Sequence, residues 1–243
     1  TTGPDATANV AMTLTTGTGT LGGTTSMNAV AGVADFAGKG LNIDQAGTNK
    51  LLTATATLNG VPVTKVTAPA ITINSVSLTW LATPATFNWT TANEVNWSGG
   101  SGVYVGPLAS SVTFDETGSA ASPINLVGTL QPISVTVTSD TQNYTFSGSG
   151  KISGTTGITK SGASTLTLAT ANDHSGNTAL SAGTLVSANP LALGTGLVNF
   201  PGGSTGTLRI STDGGDTATP ISSNSSSANV GTDTWGSNWT IAS

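Results

Sequence analysis

From residue 148 to residue 196 the chain reads GSGKISGTTGITKSGASTLTLATANDHSGNTALSAGTLVSANPLALGTG. The stretch breaks into very short alternating runs, Ile158-Thr-Lys160, Thr165-Leu-Thr-Leu168, Leu180 and Thr184-Leu-Val186, with Gly- and Asn-rich corners between them. Alternation of apolar and polar residues marks a half-buried strand, and glycine and asparagine turn a chain sharply. Strands this short and this polar cannot bury a face alone. Each has to be stacked on a neighbour of similar kind, as in a solenoid.

Composition agrees with a chain built from strands and tight turns. Charged residues are 7% of the sequence, against about 25% in an ordinary soluble domain. Glycine occurs 32 times, and hydrophobic residues at 36% exclude the low-hydrophobicity, high-charge signature of disorder. Abundant Thr, Val and Gly with few Lys, Glu and Arg imply an all-β fold. The 243 residues are enough for one large domain or two ordinary ones with a real core. Eleven acids and six scattered bases give a net charge of −5, which excludes nucleic acid as a partner. No apolar run approaches the ~18 residues of a membrane helix. The absence of cysteine suits a bacterial surface β-protein and a reducing compartment alike. A chain opening at Thr1 without a basic-then-apolar leader reads as a product from which a signal peptide has been removed.

Residues 1–77 form the first expected unit. Val10-Ala-Met-Thr-Leu14 and Gly32-Val-Ala-Asp-Phe36 alternate, Leu41-Asn-Ile43 follows, and a long strand begins at Lys50. Strands at this spacing predict a β-sandwich. The wording VAMTLTTGTGTLGGTTSMNAVAGVADFAGKGLNIDQAGTNKLLTATA, over about residues 9–57, resembles the later strands of bacterial Ig-like repeats of large surface and adhesin-type proteins. That resemblance implies two further strands ahead of Val10, where this chain has only nine residues. An Ig-like sandwich without its first strands has open edges, which another subunit can fill by β-augmentation. With a surface low in charge, this leads to the expectation of a homo-oligomer or homopolymer.

Residues 78–243 form the second expected unit, a short parallel β-helix or stacked-strand domain. Trp80, Trp89 and Trp97 stand close together at its start. They have two readings: indole platforms for stacking on surface glycans, or a cap over the first rung, which every solenoid needs. The cap is favoured. Strands of three to six residues then recur about every ten positions up to Phe146. Residues 157–188 resemble the passenger-associated, or autotransporter-associated, β-strand repeat. The matching positions include Gly157, Thr159, Lys160, Gly162, Leu166, Leu168, Asn172, Gly176, Gly183, Leu185, Leu193, Gly194 and Gly196; Ser164 stands where that family favours Gly, and His174 where it favours Tyr. The resemblance extends over about residues 85–200. It implies a right-handed parallel β-helix, export to the bacterial surface or beyond, and a structural or adhesive role without catalysis.

Candidate chemistry is sparse. Glycan-cleaving β-helices need acid clusters with bases beside them, and here Asp115-Glu116 and Asp213/Asp216 have no base nearby in sequence. Asp173-His174 is the one acid–histidine neighbour pair, on a corner, and is read first as a turn. One histidine and no cysteine rule out the usual zinc sets. Asp213-Gly-Gly-Asp216 offers carboxylates to calcium but reads first as a turn. The expectation is a secreted or cell-surface structural protein that is not an enzyme, with no cofactor and no bound metal. It self-assembles into a fibre through strand edges, and the alternative is an adhesin module holding glycans on its tryptophans.

Overall fold

The computed structural model describes residues 4–67, 69–92 and 94–210, and the backbone of Thr219–Ser222, Asn229–Val230 and Ile241–Ala242. The described residues are all-β apart from one short 3-10 turn at Pro4–Thr7, and the chain divides into two compact units, Thr1–Ser75 and Val76–Ser243.

The first unit is organised around the strand Gly47–Leu58. Asn9–Thr16 runs antiparallel on one side of it and Val61–Val66 on the other, while Ser26–Asn28 adds to Asn9–Thr16 and Ile71–Ile73 pairs with the start of the central strand. Asn59 and Gly60 both have positive φ, 49° and 79°, the geometry of a two-residue hairpin whose twist matches its strands. Directly opposed residues share a face. Val10, Met12 and Leu14 therefore lie on the same side as Ala56, Ala54 and Leu52, with Val63 beside Ala56; Thr13, Thr53, Thr55 and Thr64 occupy the other side.

The expected Ig-like sandwich is not found. The described residues hold one five-stranded sheet and, apart from it, a two-residue pair of Leu21–Gly22 with Asn42–Ile43. Of Gly32 to Phe36, expected as a strand, Gly32 lies in a turn closed by a bridge between Val30 and Val33, and Ala34 to Phe36 form no strand. Alternation tells which side of a strand is apolar, but not whether a second sheet covers it. Here the covering is slight: Ala29, Leu52 and Lys50 are the buried residues described in this unit, and Val61 is 60% exposed.

The second unit is a β-solenoid. One sheet lays Val76–Trp80, Ser110–Phe114, Ser134–Val137, Gly157–Lys160, Thr178–Leu180 and Val198–Asn199 side by side, all parallel. The other does the same with Asn88–Trp89, Ile124–Leu126, Tyr144–Ser147, Thr165–Leu168, Thr184–Ser187 and Thr207–Ile210. Ser134 lies beside Gly157 and Thr178 beside Val198, so one turn takes roughly twenty residues.

Alternation now finds its reason. Every second residue points inward, and register stacks like on like: Leu78, Val112, Val135 and Ile158 form one column, and Leu166, Leu185 and Leu208 another. These belong to one continuous apolar cluster from Leu78 to Leu208. Fully burying each such side chain contributes about 1.5–3 kcal/mol.

Strands of opposite direction finish the stack. Trp97–Ser98 lies antiparallel on Val76–Trp80, Thr219–Ser222 antiparallel on Thr207–Ile210, and Asn229–Val230 antiparallel on Val198–Asn199. Such strands are what capping of a solenoid requires; among the described residues the second sheet ends at its other side on Asn88–Trp89 itself.

Candidate functional site

The corners of residues 157–196 hold the polar side chains that make this stack possible. Lys160 points inward from Gly157–Lys160 and is fully buried. Its ammonium donates to the carbonyls of Ser161 (2.9 Å), Gly162 (2.7 Å) and Ala182 (3.3 Å), the last belonging to the next turn. Burial lowers its pKa to about 8, the Asp140 charge opposing the shift. Gly183 leaves the room: its φ is +69°, and a Cβ there would stand 2.7 Å from the ammonium nitrogen and 2.4 Å from the Gly162 oxygen.

Asn172 does the same work at the next corner. Its Oδ1 accepts from Ile152 N of the preceding turn (2.9 Å), and its Nδ2 donates to Ala192 O of the following one (2.7 Å). One buried amide thus ties three turns together. Sequence reasoning counted both residues in the repeat pattern but gave neither a role. The signal is their place at corners, where strand carbonyls and amides lose their ladder partners.

The three tryptophans lie inside the first rung. Trp80, Trp89 and Trp97 are 1%, 0% and 2% exposed. Trp97 stands edge-on to Trp80 at 5.0 Å and to Trp89 at 5.6 Å, and Phe114 packs on all three. A sugar needs a free indole face, so the glycan-platform reading of these residues is corrected: neighbouring rings already occupy the faces. Trp80 Nε1 is used as well, donating to Ser119 O at 3.0 Å. Beside them, Asn96 is buried and joins the chain's own loops, accepting from Thr86 N (2.9 Å) and donating to Asn88 O (2.8 Å). Glu94 accepts from Thr86, Asn88 and Asn96, and its pKa is lowered, the Thr86 hydrogen bond being the largest cause.

The acids serve turns. Asp115 accepts from Thr117 N (2.8 Å) and Thr117 Oγ1 (2.6 Å), an Asx turn. Glu116 reaches the next turn of the solenoid, accepting from Ser139 Oγ (2.7 Å), Asp140 N (3.0 Å) and Thr141 N (2.7 Å). These bonds, Ser139 first, hold its pKa down at about 2. Asp173 pairs with Lys151 of the preceding turn, and that hydrogen bond is the largest cause of its lowered pKa. His174 is fully buried, and neither ring nitrogen has a partner. Among the described residues no three His, Asp or Glu side chains gather as a metal site would require. Asp213, Asp216, Trp235 and Trp239 lie outside the described residues.

Comparison with known proteins agrees with this geometry at one place. The passenger-associated-transport-repeat family model matches residues 158–186, which run from the strand Gly157–Lys160 through Thr184–Ser187. The chain therefore carries an autotransporter-associated repeat, set in the middle of a β-solenoid. Repeat and solenoid together suggest an autotransporter passenger domain. No curated protein and no solved structure matches the chain in the corresponding searches.

Proposed function

We propose that the chain is a structural segment of a bacterial surface or secreted protein of the passenger kind, with no catalytic role. The observation that carries this reading is the passenger-type repeat lying on two successive rungs of the solenoid. The polar side chains of that repeat support a mechanical role. Lys160 and Asn172 are spent on carbonyls and amides of adjoining turns, which stiffens the stack and leaves them no open cleft to act in. Protease treatment of intact cells that make the protein tests the location. Loss of the chain without cell lysis is expected, and full protection would contradict the reading.

The same reading includes association with further copies. The first unit supports it: Val10, Met12, Ala54, Ala56 and Val63 share a sheet face that remains half-buried or exposed among the described residues. Its outer strand Val61–Val66 carries Pro62 and Lys65, both of which discourage simple strand addition. Contact through the face of the sheet, in which another copy supplies the missing layer, is therefore favoured over edge-to-edge pairing. Sedimentation and negative-stain imaging decide this point, with multimers or fibres expected; a chain that stays monomeric at high concentration would remove the association while leaving the structural role intact.

A further inference from the structure

The corner of residues 170–177 contains a group that stiffening the stack does not use. His174 is the single histidine of the chain. It is fully buried, and Nδ1 and Nε2 both lack a hydrogen-bond partner. Thr178 Oγ1, on the strand that follows, is buried and unpartnered too. Main-chain bonds close the corner from both sides: Ser175 N donates to Gly154 O (2.7 Å), Asp173 N to Ile152 O (3.1 Å), and Thr195 N to His174 O (2.8 Å). Gly194, with φ +64°, packs directly over the ring, where a Cβ would stand 2.7 Å from Nδ1. A neutral imidazole fits this space. An imidazolium would place a charge and two N–H donors where no acceptor awaits them, a costly arrangement in a buried site.

We propose that this corner is an acid-sensitive latch, which holds the repeat to its neighbouring turns while His174 is neutral and releases residues 170–177 from residues 191–196 when the imidazole gains a proton. The charged groups around it do not prevent this. Asp173, on the same corner, is paired with Lys151 of the preceding turn, and the following stretch, residues 191–196, contains no charged side chain. Burial pushes the imidazole down to about 4, and the Asp173 charge restores only part of the shift. The opened corner keeps the ordinary value near 6.5. Below that pH the open form takes up a proton that the closed form cannot hold until about pH 4. The latch is thus at full strength above about pH 6.5 and weakens as the pH falls towards 4. Between pH 7 and pH 5 this corresponds to opening that is roughly twentyfold more frequent.

A proton NMR titration of the whole chain reads the imidazole without ambiguity, because there is one histidine. Amide hydrogen exchange over residues 172–178 and 192–197, corrected for intrinsic rates, reads the opening at pH 7 and pH 5. The folded imidazole is expected not to titrate near 6.5, and the corner amides to exchange roughly twentyfold more readily at pH 5. In His174→Phe, which fills the corner without a titrating group, the pH dependence is expected to vanish. A histidine titrating freely near 6.5, corner exchange unchanged between the two pH values in the unsubstituted chain, or a pH dependence that persists in His174→Phe would each overturn the proposal.

Discussion

The two units share an alphabet of Thr, Val, Ala and Gly, yet they use it in opposite ways. In the second unit the apolar inward residues are stacked between residues of the turns before and after them, so Val112 touches a column rather than a surface. In the first unit Leu52 shares a pocket with Leu21, Leu41 and Ile43 from outside its sheet, but Met12 and Ala54 on the same face stay half-buried among the described residues. Identical alternation thus yields a closed core in one place and an open sheet in the other. Stacking makes the difference, since a solenoid buries each strand from both sides by repeating it.

Core truncation separates the units most strongly. Phe114→Ala, at a residue packed against Trp80, Trp89, Trp97 and Phe146, is expected to cost the solenoid about 3–5 kcal/mol in denaturant unfolding. Val63→Ala, on the open face of the first unit, is expected to change stability by no more than about 0.5 kcal/mol. Comparable costs at the two sites would break the comparison.

Lys160→Met sharpens it at a polar position. Methionine roughly preserves the volume but leaves the carbonyls of Ser161, Gly162 and Ala182 without their ammonium donor. We expect a loss of about 1–3 kcal/mol, measured by urea unfolding.

Acid acts next. Glu116 has its pKa held down to about 2, so its contribution is present above the ordinary carboxylate range near 4.5 and is lost as the pH falls through about 2. Glu116→Gln is expected to lower the melting temperature at pH 7 and to flatten the acid limb of the stability curve over that window. An unchanged acid limb would show that the bonds to Ser139, Asp140 and Thr141 contribute nothing. A small effect is also expected for Lys151→Ala. Its ion pair with Asp173 is partly exposed on both sides, and thermal melts should register at most about 1 kcal/mol.

The sequence made the solenoid legible where glycine corners and inward leucines recur together, as at Thr165–Leu168 and Thr184–Ser187. Earlier rungs such as Ser110–Phe114 and Ile124–Leu126 gave only a cadence, compatible equally with a sandwich. Parallel pairing of Val112 with Val135 joins residues in different turns, and no local pattern announces it. Trp80, Trp89 and Trp97 were legible as belonging to the start of the stack, but their burial was not, because an indole suits a core and a surface equally well. Lys160 is the clearest limit. A lysine inside a β-core contradicts composition rules, and only the carbonyls of Ser161, Gly162 and Ala182 make sense of it.

The central claim, that one unit is closed by its own repetition and the other is left open, is tested most directly by native-state hydrogen exchange on the dilute chain. Amides of Ser134–Val137, Tyr144–Ser147, Thr165–Leu168 and Thr184–Ser187 are expected to exchange only through global unfolding of the solenoid. Those of Asn9–Thr16 and Gly47–Leu58 are expected to exchange far sooner, through local opening. Equal protection in the two sets would contradict the account.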